Sequence, residues 1–163
     1  AYRHLAGRLA STGKNATFGR VYTAEVDVAS GMIKQRRRVY DYGGTFDAFF
    51  LHNHAPIHSF MLNLDLIDLS ALQWFDDMRY MEDYIFTLQV FHPQQTDWTS
   101  LETAVFIGDY NHRIGDQDHT LAVDDAARSR LFADTYYQLC ETRINDVRAA
   151  RRHLLGIPNS EGG

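Results

Sequence analysis

The chain has 163 residues, 45% of them hydrophobic and 13% aromatic, and carries a formal net charge of −5. That length suits a single domain with a real core, and that composition excludes disorder over most of the chain. An acidic balance also lacks the diffuse grip on phosphate that nucleic-acid binding needs, so nucleic acid is not an expected partner.

Residues 2–13 read as a helix, with Leu5, Leu9, Ala6 and Ala10 as a modest apolar stripe and Gly13 as the stop. Alternation from Thr17 to Val28, a Ser30-Gly31 turn and a second run from Met32 to Tyr42 predict a β-hairpin. Lys34, Arg36, Arg37 and Arg38 make its second strand basic, which reads as a solvated face, with phosphate or anionic lipid as the alternative. Thr45 is placed to cap a short helix over Phe46 to Leu51. The histidine-rich run 52–58 is a loop by its Asn and Pro. A buried strand or helix start follows over Ser59 to Leu64, and a helical turn or two over Asp65 to Leu72.

Met81, Tyr84, Ile85, Leu88 and Phe91 recur at helical spacing, which predicts an amphipathic helix over 81–92 ended by Pro93. Thr103 to Ile107 reads as a strand, and Asp109 to Thr120, rich in His and Asp, as a functional loop. Residues 122–155 are helical, with a joint near Ala133-Asp134 and a buried side marked by Tyr136 or Tyr137, Cys140, Ile144, Val147 and Leu154. The lone cysteine, Cys140, cannot close an internal disulfide, favours a reducing compartment and reads as core filler. No stretch reaches the ~20 apolar residues of a membrane-spanning helix, and no signal peptide is visible. Because position 1 is alanine, a processed or cut chain is expected.

Among residues that do chemistry, Glu82-Asp83 stand out. Both fall in the first turn of the predicted helix, where the positive helix end favours their ionised forms. An ionised carboxylate at the lip of a cleft is what a general base requires. Simple charge complementarity at a helix start is the plain alternative. Trp74, Tyr80, Tyr84 and Trp98 are aromatics suited to stacking on sugar rings; helical spacing assigns Tyr84 to the core and leaves Trp74 for a cleft. His52, His54 and His58 have a spacing that brings two or three imidazoles to one metal, or that simply lines a loop with local hydrogen bonds. Arg143, Arg148, Arg151 and Arg152 crowd the last helix, either complementing its negative end or meeting an anionic membrane surface.

The segment from Trp74 through Phe75-Asp76, Glu82-Asp83 and Leu88 resembles the acceptor-site signature of family-2 glycosyltransferases. In that signature a Phe-Asp turn leads to Glu-Asp at the start of a helix. Ser59-Phe60-Met61 with Leu66-Ile67 looks like the strand and turn leading into it, and Ile107-Gly108-Asp109-Tyr110-Asn111-His112 resembles the family's late strand and loop. The likeness covers roughly residues 1–120. It implies an α/β fold, a partial GT-A domain of the nucleotide-diphospho-sugar transferase type with a β-hairpin and C-terminal helices, divided into an acceptor-side part over 1–121 and a helical extension over 122–163. It assigns the base to Asp83, with Glu82 beside it, acceptor contacts to Trp74, Asp76 and His58, and metal or diphosphate contacts to His112 and His119. The implied chemistry is inverting transfer from a nucleotide-sugar donor to a carbohydrate or other hydroxyl acceptor, as in polysaccharide biosynthesis, with Mg or Mn as the cation. The implied setting is cytoplasmic, with peripheral contact to the inner face of a membrane as an option.

The family's nucleotide-binding half, ending in Asp-x-Asp, is not seen in this sequence; Asp116-Gln117-Asp118 is the one match and is out of place. The chain is therefore expected to be the C-terminal half of such an enzyme, with the N-terminal half as its missing partner. Two other classes stay open. One is a metal-dependent hydrolase using His52, His54 and His58, which tight stoichiometric zinc would mark. The other is a non-catalytic binding or scaffold domain, which insensitivity to metal and nucleotide would mark.

Overall fold

Leu5 and Leu9 form the buried edge of the first helix, α1 (Tyr2–Thr12), which Gly13 ends in the left-handed conformation at φ 62°. The computed structural model describes residues 1–27, 29–39, 44–53, 55–78, 81–99, 106–109 and 134–158. Ala6 and Ala10 lie on the exposed side of α1, so its apolar stripe is narrower than the sequence suggests.

The expected hairpin is present, with a correction. Its first run is broken at Gly19 into β1 (Ala16–Phe18) and β2 (Arg20–Val26). β2 pairs antiparallel with β3 (Ile33–Val39) and parallel with β6 (Phe106–Asp109). β1 pairs antiparallel with β4 (Phe60–Leu62) and parallel with β5 (Thr96–Asp97). The result is two three-stranded mixed sheets, joined through the β1–β2 break. At the break the Gly19 amide donates to the Ser59 carbonyl at 2.7 Å, so the partner strand rather than a turn holds the junction. The late strand overlaps the expected one at Phe106 and Ile107 and runs on to Asp109; residues 100–105 and 110–133 lie outside the described residues.

Helix α2 (Phe46–Leu51) is capped by Thr45, whose side chain accepts from the Ala48 amide. Two short 3₁₀ turns, Leu64–Leu66 and Leu69–Ala71, fill the predicted helical stretch. Helix α3 (Glu82–Val90) follows, and α4 (Thr135–Leu155) starts at Asp134, whose carboxylate accepts from the Tyr136 and Tyr137 amides. The joint expected near Asp134 is thus a helix start.

An aromatic cluster forms the centre of the core. Phe18 meets Phe91 edge-on at 4.8 Å between ring centroids, Phe49 lies 4.9 Å from Phe91, and Trp98 stacks on Phe18 at 5.3 Å. Cys140, Ile144 and Val147 of α4 join the same core, so the helix expected as an extension shares it. Leu154, expected on that buried side, is 74% exposed, because the stripe of Cys140, Ile144 and Val147 continues through Leu155, which packs against the core in its place. Arg8 ties α1 to β5, its Nε donating to the buried Asp97 carboxylate at 2.6 Å. The fold is mixed α/β. Among the described residues, no helix is long and apolar enough to cross a membrane.

Candidate functional site

The start of α3 has an unusual backbone. Met81, the residue before the helix, sits at φ 60° and ψ 19°, the one non-glycine with positive φ among the described residues. A side chain with a Cβ adopts this region at a cost, and such residues gather at functional sites. Met81 supplies no side-chain cap. The first turn is therefore left to the two acids, Glu82 and Asp83.

Asp83 is half-buried, and its Oδ1 accepts from the Tyr84 amide at 2.7 Å. Burial, and to a lesser extent the neighbouring Glu82 charge, push its carboxyl above the usual carboxylate range against the pull of that hydrogen bond. Asp83 therefore binds a proton more readily than an exposed carboxylate, which suits a group that must take one.

Both acids open onto a cleft of about 480 Å³. Ile57, Trp74, Phe75, Met78, Ile85 and Phe86 form its apolar walls, with Asp76, Glu82 and Asp83 as the charged groups. Among the described residues no Lys, Arg or His lines it. Trp74 is 65% exposed and stacks on Phe86 with 5.9 Å between ring centroids, which leaves its outer face free for a ligand. The loop that carries Trp74 and Asp76 is pinned from α4. Arg143 grips the Asp77 carboxylate with both terminal nitrogens, Nη2 at 2.7 Å, and lies 5.5 Å over the Phe75 ring. The Tyr136 hydroxyl donates to the Asp77 carbonyl. The Arg143 hydrogen bonds hold the Asp77 carboxyl below its usual range. Of two adjacent aspartates, Asp77 thus anchors the loop and Asp76 faces the cleft.

Four residues singled out by the sequence, Trp74, Asp76, Glu82 and Asp83, line this one cleft. His58 is not among its lining residues; its neighbour Ile57 is. The His58 Nε2 is buried with no hydrogen-bond partner, and the Tyr2 hydroxyl donates to its carbonyl at 3.2 Å. Tyr84 and Trp98 belong to the core. The four arginines of α4 all contact the fold: Arg143 as above, Arg148 at the Leu51 carbonyl, Arg151 at the Phe91 carbonyl, and Arg152 over the Phe50 ring. His54, Tyr80, His112, His119 and Asp116-Gln117-Asp118 lie outside the described residues. Among the described residues, no three His, Cys, Asp or Glu side chains gather as a metal group.

Sequence reading placed Trp74 at a cleft but missed the other apolar walls and the α4 latch. A signal for the walls was present: Trp74-Phe75 and Ile85-Phe86 flank the acids on both sides. The Asp77–Arg143 pairing spans 66 positions and has no local signature. No family model matches the chain, and no match was found among curated proteins or solved structures.

Proposed function

We propose that the cleft at the start of α3 is the hydroxyl-acceptor site of a sugar-transferring enzyme of the family-2, GT-A kind, with Asp83 as its general base. One observation carries the reading: an exposed tryptophan, two flanking carboxylates and a desolvated aspartate, separated by up to nine positions, share a single apolar-walled cleft. A sugar ring has C–H faces that suit Trp74 and hydroxyls that suit Asp76 and Glu82. The described lining carries acids and no cation, which disfavours a nucleotide diphosphate and supports an acceptor rather than a donor role for this cleft.

In the proposed reaction Asp83 takes the proton of the acceptor hydroxyl. The freed oxygen pair bonds to the anomeric carbon as the bond from that carbon to the diphosphate oxygen breaks. The proton ends on Asp83 and the negative charge leaves with the diphosphate. Mg or Mn, as the resemblance implies, would neutralise that leaving group. Among the described residues, no three His, Cys, Asp or Glu side chains assemble as ligands for the cation. His112 and His119 remain its proposed contacts.

Trp74 gives a direct test. Titrating the full-length protein with oligosaccharides should quench tryptophan fluorescence saturably, and Trp74→Ala should abolish the quench. In transfer assays over a panel of nucleotide sugars, Asp83→Asn should lower turnover by about 10²–10⁴-fold while the quench survives. Retained turnover in Asp83→Asn with loss in Glu82→Gln moves the base role to Glu82. Retained turnover in both variants, or no saccharide response at Trp74, defeats the reading.

A further inference from the structure

A second cavity, of about 320 Å³, lies between the C-terminal end of α3 and the last turns of α4. Arg151 lines it and has an incomplete set of partners. Its Nη2 donates to the Phe91 carbonyl at 3.0 Å, its Nε is buried with no acceptor, and no carboxylate pairs with it among the described residues. A desolvated guanidinium is costly without an anion beside it. His92 stands on the same wall. Its Nδ1 accepts from the Gln94 and Gln95 amides at 3.1 and 3.2 Å, which places the ring proton of the neutral form on Nε2.

We infer that this groove is a binding site for a small organic monocarboxylate, its carboxylate against Arg151 and its apolar body along Ile67, Leu72, Val147 and Leu154. The charge arithmetic sets the valence. Burial, then the charge of Arg151, hold the His92 ring below its usual value, so it stays neutral near pH 7. Asp68 lines the groove too, held ionised by the Ser70 hydroxyl and amide on its Oδ1. Arg151 is the single cation of the described lining and can pair with one carboxylate, while the ionised Asp68 repels a second negative charge. Two of the lining amides are occupied internally: Asn15 by Val90 and Thr96, and Gln89 by Gln73 and Ile85. Ile67, Leu72, Val147 and Leu154 leave an apolar wall for the body of the ligand.

The inference is independent of the acceptor-site reading and is tested by binding alone. Hexanoate and benzoate, titrated calorimetrically into the full chain, should bind saturably. Hexanol and inorganic phosphate should bind at least about tenfold more weakly, the first for want of charge and the second for excess of it. Arg151→Gln should weaken hexanoate by at least about tenfold. Ala150→Trp, a change at an exposed position of the groove, should block binding by filling it. It decides the matter if Arg151→Gln does not fold. Failure of both carboxylates to saturate, equal affinity for hexanol or phosphate, or undiminished binding in Ala150→Trp overturns the site.

Discussion

The two ends of α3 are built on opposite plans. At the C-terminal end, buried side chains complete the backbone: Asn15 Nδ2 donates to the Val90 carbonyl at 2.9 Å, and Arg151 takes the Phe91 carbonyl. The Thr96 hydroxyl donates to Asn15 Oδ1 at 2.8 Å and accepts from the His92 amide at 2.9 Å, so each member of the network orders the next. At the N-terminal end there is no side-chain cap, a strained Met81 and two adjacent acids on an open cleft. The contrast teaches where order is needed and where reactivity is tolerated. The satisfied end fixes the helix, and the unsatisfied end keeps a carboxylate with raised proton affinity in place.

The largest expected effect lies at the ordered end. Asn15→Ala removes the donor of one buried carbonyl and the acceptor of one buried hydroxyl. It should cost about 2–4 kcal/mol, lowering the melting temperature by roughly 5–15 °C. A loss under about 1 kcal/mol would mean that the network is not what orders this end. Tyr84→Phe is the next test, since Tyr84 links the two plans. Its hydroxyl meets the Phe49 and Phe50 carbonyls at 3.0 and 2.9 Å and accepts from Arg148 Nη2 at 2.9 Å. About 1–2 kcal/mol should be lost in denaturant unfolding, because three buried groups lose one partner.

The two ends also differ in how far the sequence reveals them. Glu82-Asp83 and the aromatic neighbours are local and periodic, so the helix, the acids and the cleft tryptophan could be read directly. α1, α2 and the hairpin were legible for the same reason. The Gly19 break was not, because the alternation of Thr17 to Val28 continues through it while the strand changes partners from β4 to β3. Asn15, Thr96 and Arg151 act over separations of 60 or more positions, and residues of these types are ordinarily read as surface. Leu154 misled for a different reason: a position seven after Val147 fits the buried stripe, but at about 3.6 residues per turn Leu155 fits it as well, and Leu155 is the one that packs against the core.

A smaller effect should follow from the backbone at the reactive end. Met81→Ile conserves volume but puts a β-branched side chain at φ 60°, where it is more strained than an unbranched one. It should cost about 1–2 kcal/mol in denaturant unfolding. Met81→Leu, unbranched at Cβ, should cost less. Equal losses in the two would indicate that packing, not backbone strain, sets the tolerance of this position.

The smallest expected stability effect has a definite sign. The Asp83 carboxyl titrates above its ordinary value of 3.8 in the fold, chiefly because burial disfavours its charge. Between 3.8 and that raised value the native state holds the proton more than the unfolded chain does, so stability falls as pH rises through the window and the deficit is constant above it. Asparagine keeps an acceptor for the Tyr84 amide and removes the buried charge. Asp83→Asn should therefore melt higher than the parent at neutral pH, and the advantage should vanish below pH 3.8. Melting temperatures across this range measure it. The same raised value governs the proposed base, since only the ionised carboxylate accepts a proton, so turnover should climb with pH over the window in which parent stability declines. A variant that melts lower at neutral pH would show that attraction to the helix end outweighs burial. Asp83 would then be a helix-start charge like any other, and the contrast between the two ends of α3 would lose its chemical meaning.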